Sequence, residues 1–565
     1  MPMVLDLADG DRLADGMEQR QNCEEKTLRF VVIALTLAGV VSPLVAQEGA
    51  RYLIVARDEL VDAIRPLAQW KHDQGIPCRI APTSETGTTL AQIDQYIANA
   101  YNNWPIRPEF VLLVGHPSLI PAARYGQGWT YYSDNDYANV TGDLRAEVAV
   151  GRFPARSATQ VQVMVAKTLT YERTPDLTDS LWMRRLTTAV REDLDGNDTI
   201  YWNDMRHAAT LAGAAGFVGC DSLSRVRGDD TADLYASMRR GTAFVMYRGS
   251  CAGNWASPFA IRPERTRNGN YLPVILSVTC ATMSLDPYDS MVGEAWVKTT
   301  RADSFNGAVA FFGNSRVAHW VSRQRSAVAR GFFTGLFTNG DYYLGQAMLA
   351  AKEHLYEQYP SEVDEYRGFN LFGDPGLRLW TATPKTLEVS CPDTIQLASQ
   401  ELTVAVTHAG APVEAAVVCI SMDSSVYVCD TTDAAGQATL VVAPSDTGRM
   451  RIVVTGLNLY PYEGSIVVVP SVGLGGNDAL FAPAIRLTAC PSIFRGQTTL
   501  RWGSPAQPGW SLTVTDVSGR ELTRRCRLTG SQMRWGGTTR AGVFIATLRD
   551  ERSRFIGSTR LTRPE

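Results

Sequence analysis

Cys280 closes the apolar run "PVILSVTC" (273–280), and "ATMSLDPYDS" follows it. A thiol at the carboxyl end of a buried parallel strand is placed to attack a carbonyl, because open α/β sheets bind ligands outside those strand ends. Attack needs the thiolate, and so a neighbouring base or a lowered pKa. The opposing reading is that a free cysteine is a small hydrophobe and is commonly buried. A second loop, "RGSCAGNW" (248–255), follows the strand "AFVMY" (243–247). It gathers Gly249, Ser250, Cys251 and Trp255 but holds no histidine and no carboxylate. His319, in "GNSRVAHW" (313–320), follows the next strand and opens on the same edge; as a surface-loop histidine it would have no role. Adjacent strand ends fall within the Cα separation a disulfide allows, about 4.4–6.8 Å. Cys251 and Cys280 are therefore a candidate bridge that would cap the nucleophile until reduced.

The elements that position these residues alternate strand and helix, which predicts a mostly parallel sheet with helices on both faces. "RYLIVA" (51–56) is a continuous apolar run, as expected of a strand covered on both faces; "FVLLVG" (110–115) is a second buried strand and "EVAVGRFP" (147–154) a third. The plan repeats with "RLTTAV" (185–190), "AFVMY", "PVILSVTC" and "GAVAFFG" (307–313), and "NLFGDPGLRLW" (370–380) ends it. The expected fold class is α/β: two consecutive α/β subdomains, 48–178 and 179–381, followed by two small β-sandwich domains. The first sandwich, 382–470, has short alternating strands of immunoglobulin type. A Gly-rich linker (471–482) leads to the second, 483–565.

In 565 residues, 45% are hydrophobic, 20% are charged and the net charge is −4, so nothing offers nucleic acid a basic face. Residues 1–47 read as a leader and an export signal cut near Ala46, with Met17 an alternative start; the apolar part is short for a span of about 20 residues, and an N-terminal anchor is the other reading. Ten cysteines are sparse for a disulfide scaffold. Two pairs are candidates for bridges: Cys419 with Cys429 across a hairpin, and Cys490 with Cys526. Asp134, Asp136 and Asp143 form an acidic turn, a candidate calcium site whose spacing is not that of an EF-hand; turn chemistry is the alternative. No cofactor is required. His116 reads as a turn residue away from the main site.

"LPVILSVTCATMSLDPYDSMVGEAWV" (272–297) resembles the nucleophile segment of the gingipain family of cysteine endopeptidases, with Cys280, Gly293 and Glu294 at the motif positions. "YLIVARDEL", "FVLLVGHPSLIPA", "DNDYANVTGDLRAEVAVGRFPARSATQVQVMVAKTLTYE", "GAVAFFGNS" and "LFGDPGLRLW" resemble other family blocks, in order, over about 50–380. The resemblance implies that the second subdomain is caspase-like with a Cys–His dyad. It implies peptide-bond hydrolysis through an acyl-enzyme on Cys280, backbone N–H groups at the strand end holding the oxyanion, and protein or peptide substrates.

The departure lies in "MYRGSCAGNW". Tyr247, Gly249 and Trp255 fit the family frame, but Ser250 stands at the histidine position and Cys251 at the second glycine. Serine takes up no proton near neutral pH, and a placed base contributes roughly a hundred- to ten-thousand-fold in rate. Three accounts follow: a degenerate peptidase whose pocket survives as a binding surface; a substitute base at His319, assisted by the upstream carboxylate that the resemblance implies and for which "REDLDGND" (191–198) offers Asp193, Asp195 or Asp198; or the Cys251–Cys280 bridge. The family's long propeptide has no counterpart after the signal. The tail, with "CPSIFRGQTTLRW" and "MRWGGTTRAGVFIATL", resembles type IX secretion sorting domains or a hook-capping immunoglobulin-like fold, which implies secretion machinery as a partner. The expected location is secreted or cell-surface, with no membrane span after signal cleavage. An exported, atypical or weakly active cysteine peptidase is the leading expectation; an inactive adhesin on a peptidase fold is the alternative.

Overall fold

Segments apolar on both faces become the strands of one sheet: β1 (Tyr52–Ala56), β2 (Cys78–Pro82), β3 (Phe110–Val114), β4 (Ala149–Phe153), β5 (Arg185–Val190), β6 (Gly219–Ser224), β7 (Phe244–Arg248), β8 (Val274–Ser277), β9 (Ala310–Asn314) and β10 (Phe369–Phe372). The structure is a computed structural model. It describes residues 49–470 apart from 128, 252, 302, 303 and 424, and residues 487–563 apart from 491–496, 503–508, 517–519, 527, 529, 537–540, 553 and 554. The export signal and the linker lie outside the described residues, as do the side chains of Cys490 and Cys526 and hence their expected pairing. The chain divides into two compact units, Met1–Ser471 and Val472–Glu565.

In the first unit the strands lie in the order β2-β1-β3-β4-β10-β9-β8-β7-β5-β6. Every pairing is parallel except β9 with β10. The sheet is thus mixed α/β and mainly parallel, as expected. The two halves expected as consecutive subdomains share this one sheet, because β10, from the closing block "NLFGDPGLRLW", wedges between β4 and β9. β2 and β6, which the apolar runs did not mark, are the edges; their residues are only partly covered, so their apolar pattern is broken.

Helices cover both faces. Met205 of α4 (Asp198–Ala214), Phe332 of α7 (Ser322–Thr334) and Met348 of α8 (Leu344–Gln358) fill one core. Ile64 of α1 (Val61–Asp73), Met164 of α3 (Ala158–Glu172), Leu234 of α5 (Thr231–Arg240) and Trp296 of α6 (Val292–Lys298) fill another, while α2 (Leu90–Asn103) covers β1 and β3 through Ile93 and Ile97. A buried ion network ties the first half to the turn after β10. Lys71 Nζ lies 2.8 Å from Glu172 and 2.7 Å from Asp374, and donates to Gly376 O at 2.8 Å; Tyr52 Oη donates to Asp374 at 2.6 Å.

Residues 388–469 form two facing sheets around Leu402, Val404, Ile420, Ile452 and Ile466. Cys419 and Cys429 face each other across the hairpin Val417–Met422/Val426–Thr431 as free thiols, Sγ–Sγ 2.9 Å apart. This sandwich docks on α1: Arg451 pairs with buried Asp73 at 2.6 Å and Tyr427 stacks on His72 at 3.8 Å. The second unit, taken by itself, folds a three-stranded and a four-stranded sheet around Leu500, Trp502, Trp510, Leu512 and Phe544. Among the described residues no helix is long and apolar enough to cross a membrane.

Candidate active site

The carboxyl ends of β5, β7, β8 and β9 open on one edge, and the loops leaving them converge there. β7 and β8 run side by side in register, Tyr247 opposite Ser277. Val278 N continues the ladder by donating to Tyr247 O at 3.2 Å, after which Thr279 Oγ1 donates to Gly249 O and ends it. The strand proper therefore stops at Ser277, three residues before Cys280.

Gly249 is required where it stands. Its φ is +145°, and an added Cβ would lie 2.6 Å from Arg191 O. The turn beyond it is braced by buried aromatics. Tyr247 stacks on Trp255 with ring centroids 4.6 Å apart, and Trp255 Nε1 donates to Ser277 Oγ at 2.8 Å. Tyr247 Oη donates to Ser250 O at 2.6 Å. The Ser250 hydroxyl accepts from Arg191 Nη1 at 2.9 Å and donates to Asp193, which Arg191 also contacts. Of the three aspartates in the loop after β5, Asp193 is thus the one that meets Ser250. Asp195 accepts from Asn197 within its own exposed turn, and Asp198 accepts from Asp193 N and Leu194 N; both shape the loop.

Cys280 is partly exposed. Arg325 Nη1, from α7, donates to its Sγ at 2.9 Å, and the thiol can donate to Ala318 O at 3.3 Å. Cys251 is the other neighbour: its Sγ lies 3.8 Å from Ala281 O, the residue after Cys280, and both thiols are unbridged. Arg325 is itself held by fully buried Glu365, which takes its Nε at 3.0 Å and Nη2 at 3.2 Å, together with Asn314 Nδ2 at 3.0 Å and Arg316 Nη1 at 2.6 Å. Burial works against the Arg325 charge, but Glu365 and the thiolate outweigh it and raise the guanidinium pKa further. The Cys251 hydrogen bond, then the charge and hydrogen bond of Arg325, overcome burial and push the Cys280 thiol down to about 5. Cys251 moves the other way, raised by its bond to Cys280 and by burial.

Other expected participants stand apart from this cluster. His319 is exposed on the rim, its ring edge-on to Trp129 at 5.8 Å, while the backbone before it, Ala318 O, is what meets Cys280. Glu294, in the first turn of α6, is taken by Arg156 Nη1 at 3.2 Å and by Lys298. His116 Nε2 lies 2.6 Å from Arg156 Nη2, and burial, then Arg156, push its pKa down to about 3. The N–H groups expected to hold an oxyanion are partly spent: Ala281 N donates to Arg316 O and Thr282 N to Asn314 O. The acidic turn does not converge either. Asp134 forms a buried fork with Arg152 at 2.6 and 2.8 Å, Asp136 accepts from Tyr125, and Asp143 accepts from Arg145 N. Among the described residues no group of three or more His, Cys, Asp or Glu could hold a metal ion.

Sequence reasoning missed Arg325, Glu365 and Arg191. Arg325 did leave a signal. It occupies the apolar face of its helix, at the spacing Arg325, Val328, Ala329, Phe332, all buried. A charge on a core-facing position must be paired.

The arrangement can do covalent chemistry: a thiolate held by a fixed cation, beside a second thiol, at the mouth of a parallel sheet. Comparison with known proteins gives the same class. The chain is 22% identical to gingipain R1 of Porphyromonas gingivalis over 491 residues, covering 83% of this chain and 47% of that protein. It is 22% identical to Lys-gingipain HG66 of Porphyromonas gingivalis, covering 81% and 27%. The chain thus spans half or less of the length of these curated relatives. Its fold matches the crystal structure of the Arg-specific cysteine proteinase gingipain R with a TM-score of 0.67 at 20% identity, over 76% of this chain and all of that one. The Porphyromonas gingivalis RgpB complex of pro- and mature domains matches with a TM-score of 0.66 at 19% identity, over 74% of this chain and all of that one. The family model for peptidase family C25 covers residues 45–380, the whole α/β sheet with Cys280 at its edge, and the chain belongs to that family.

Proposed function

We propose that the protein is an exported cysteine endopeptidase in which Cys280 attacks the peptide carbonyl and Arg325, rather than a histidine, keeps it a thiolate. The observation that carries this is the guanidinium 2.9 Å from Sγ, locked from behind by Glu365. A thiolate adds to the carbonyl carbon, the C–N bond breaks, and water releases the acyl group from Cys280. The amine leaves only with a proton, and a guanidinium whose pKa is raised does not supply one. Cys251 beside Cys280, His319 at the rim and water are the remaining donors, so amide turnover is slow. Ser250 takes no proton; it is held by Asp193 and Arg191 and orders the loop. His319 is the candidate substitute base at the rim, and Gly249 and Trp255 are the frame. Export and a sorting role for Val472–Glu565 belong to the same reading. A second reading, a binding protein without turnover, is favoured by the one observation that the Ser250 hydroxyl is already bound on both sides.

Cleavage of a mixed peptide library by the reduced protein, with and without Cys280→Ala, tests the proposal. Cleavage lost in the variant supports it. Cleavage that persists removes Cys280, and no cleavage together with no labelling by a thiol-directed peptidyl probe favours the binding reading. Unchanged activity in His319→Ala removes the substitute base.

A further inference from the structure

Cys251 has only a minor use in the proposed peptidase, as a proton donor to the leaving amine, and its placement fits a second. It takes the second-glycine place of the turn, where a side chain is not needed to shape the loop, and it delivers a thiol to the nucleophile. β7 and β8 are hydrogen-bonded neighbours, and Thr279 still bonds Gly249 across the gap between them. Two residues further on, Cys251 Sγ lies 3.8 Å from Ala281 O, the residue that follows Cys280. Neighbouring strands sit about 4.8 Å apart, which is within the Cα separation a disulfide accepts. Both cysteines are partly exposed, so a small reagent reaches them. Arg325 donates to Cys280, while the neighbouring thiol and burial raise the Cys251 pKa. Thiolate beside thiol, with the charge on one of them, is the division of labour of an attacking and a resolving cysteine.

We infer that Cys280 and Cys251 form a thiol–disulfide exchange centre that takes low-molecular-weight disulfides as substrate, Cys280 attacking and Cys251 resolving. The inference rests on Cys280 as the thiolate of the proposed peptidase. In the first step the Cys280 thiolate attacks one sulfur of R–S–S–R; a Cys280–S–S–R bond forms, the R–S–S–R bond breaks, and R–S⁻ departs. In the second, Cys251 gives its proton to the departed thiolate and attacks the Cys280 sulfur, releasing a second R–S⁻ that takes a proton from solvent. Two protein thiols are oxidised by two electrons, and one small disulfide becomes two thiols. Excess small thiol reverses both steps. The internal disulfide occupies the nucleophile, so peptide cleavage stops while it lasts.

The test uses the full chain carrying Cys220→Ala, Cys419→Ala and Cys429→Ala, which removes an exposed thiol and the other facing thiol pair among the described residues, treated with oxidised glutathione at neutral pH and mapped by mass spectrometry. The expected product is the Cys251–Cys280 disulfide, with two equivalents of reduced glutathione released. Cys251→Ser is expected to stop at glutathione on Cys280, releasing one equivalent, and Cys251→Ala to do the same if the serine disturbs the loop. Cys280→Ser is expected to slow release by at least about tenfold. Glutathione persisting on Cys280 beside a free Cys251 in the parent protein overturns the inference, as does a Cys251 variant that releases two equivalents. Exchange that proceeds normally in a protein that cleaves no peptide leaves this inference standing and removes only the peptidase reading.

Discussion

An arginine beside a thiol and a histidine beside a thiol differ in what they do with a proton. Both stabilise the thiolate, but only imidazole can carry its proton to a leaving group near neutral pH. With Arg325 in contact with Cys280 and, on the proposed reading, Ser250 at the family histidine position, attack is supported and amine departure is not. An activated ester needs no proton on its leaving group. The ratio of aryl-ester to anilide hydrolysis for one acyl group is therefore expected to exceed that of a Cys–His peptidase by about a hundredfold or more. Paired stopped-flow assays check this, and a ratio equal to that of a Cys–His peptidase contradicts it. Ser250→His restores an imidazole beside Asp193, the carboxylate that already meets this position. Peptide cleavage is expected to rise by roughly ten- to a hundredfold, measured as kcat/KM on a single fluorogenic peptide; no gain would show that the position is no longer coupled to Cys280.

At the scale of elements, the site depends on two strand ends held in register and on one turn. Gly249→Ala puts a Cβ against the Arg191 carbonyl at a φ that disfavours side chains. It is expected to cost about 1–3 kcal/mol, seen as a lower denaturation midpoint and as loss of Ser250–Asp193 order. Trp255→Ala empties the space behind Tyr247 and should cost about 3–5 kcal/mol. The central strands were legible where they are buried on both faces and read as unbroken apolar runs, as in "FVLLV". β2 and β6 were not, because an edge strand is covered on fewer sides and its pattern breaks. Cys280 and the Gly249 turn were legible as a constellation. The choice among Asp193, Asp195 and Asp198 was not, because it depends on which way a loop of eight residues folds back. Arg325 reached the site from a helix some 45 residues away; its core-facing position is a signal that only a partner in space explains.

For the whole molecule, the two α/β halves are one body because β10 lies between them and Lys71 locks the turn that follows it. Lys71 neutralises Glu172 and Asp374, all three buried. Lys71→Ala leaves two carboxylates buried without their cation and is expected to cost about 3–5 kcal/mol, measured by urea unfolding. A change within experimental error would mean that the halves are held by the sheet alone. The place of β10 could not be read from order along the chain, since "NLFGDPGLRLW" comes last yet lies mid-sheet. The same body brings α7 and the Val363–Gly368 helix together, so that Glu365 fixes Arg325 and Arg325 faces Cys280. The alkylation rate of Cys280, followed by mass mapping from about pH 4 to about pH 9, tests this most directly. Because the thiolate is the reactive form and its pKa is depressed to about 5, the rate is expected to rise through that pH and be level by neutrality, and to shift upward by at least one pH unit in Arg325→Ala. A rate that climbs only near the ordinary thiol value, or one that Arg325→Ala leaves unchanged, would contradict a thiolate held by arginine.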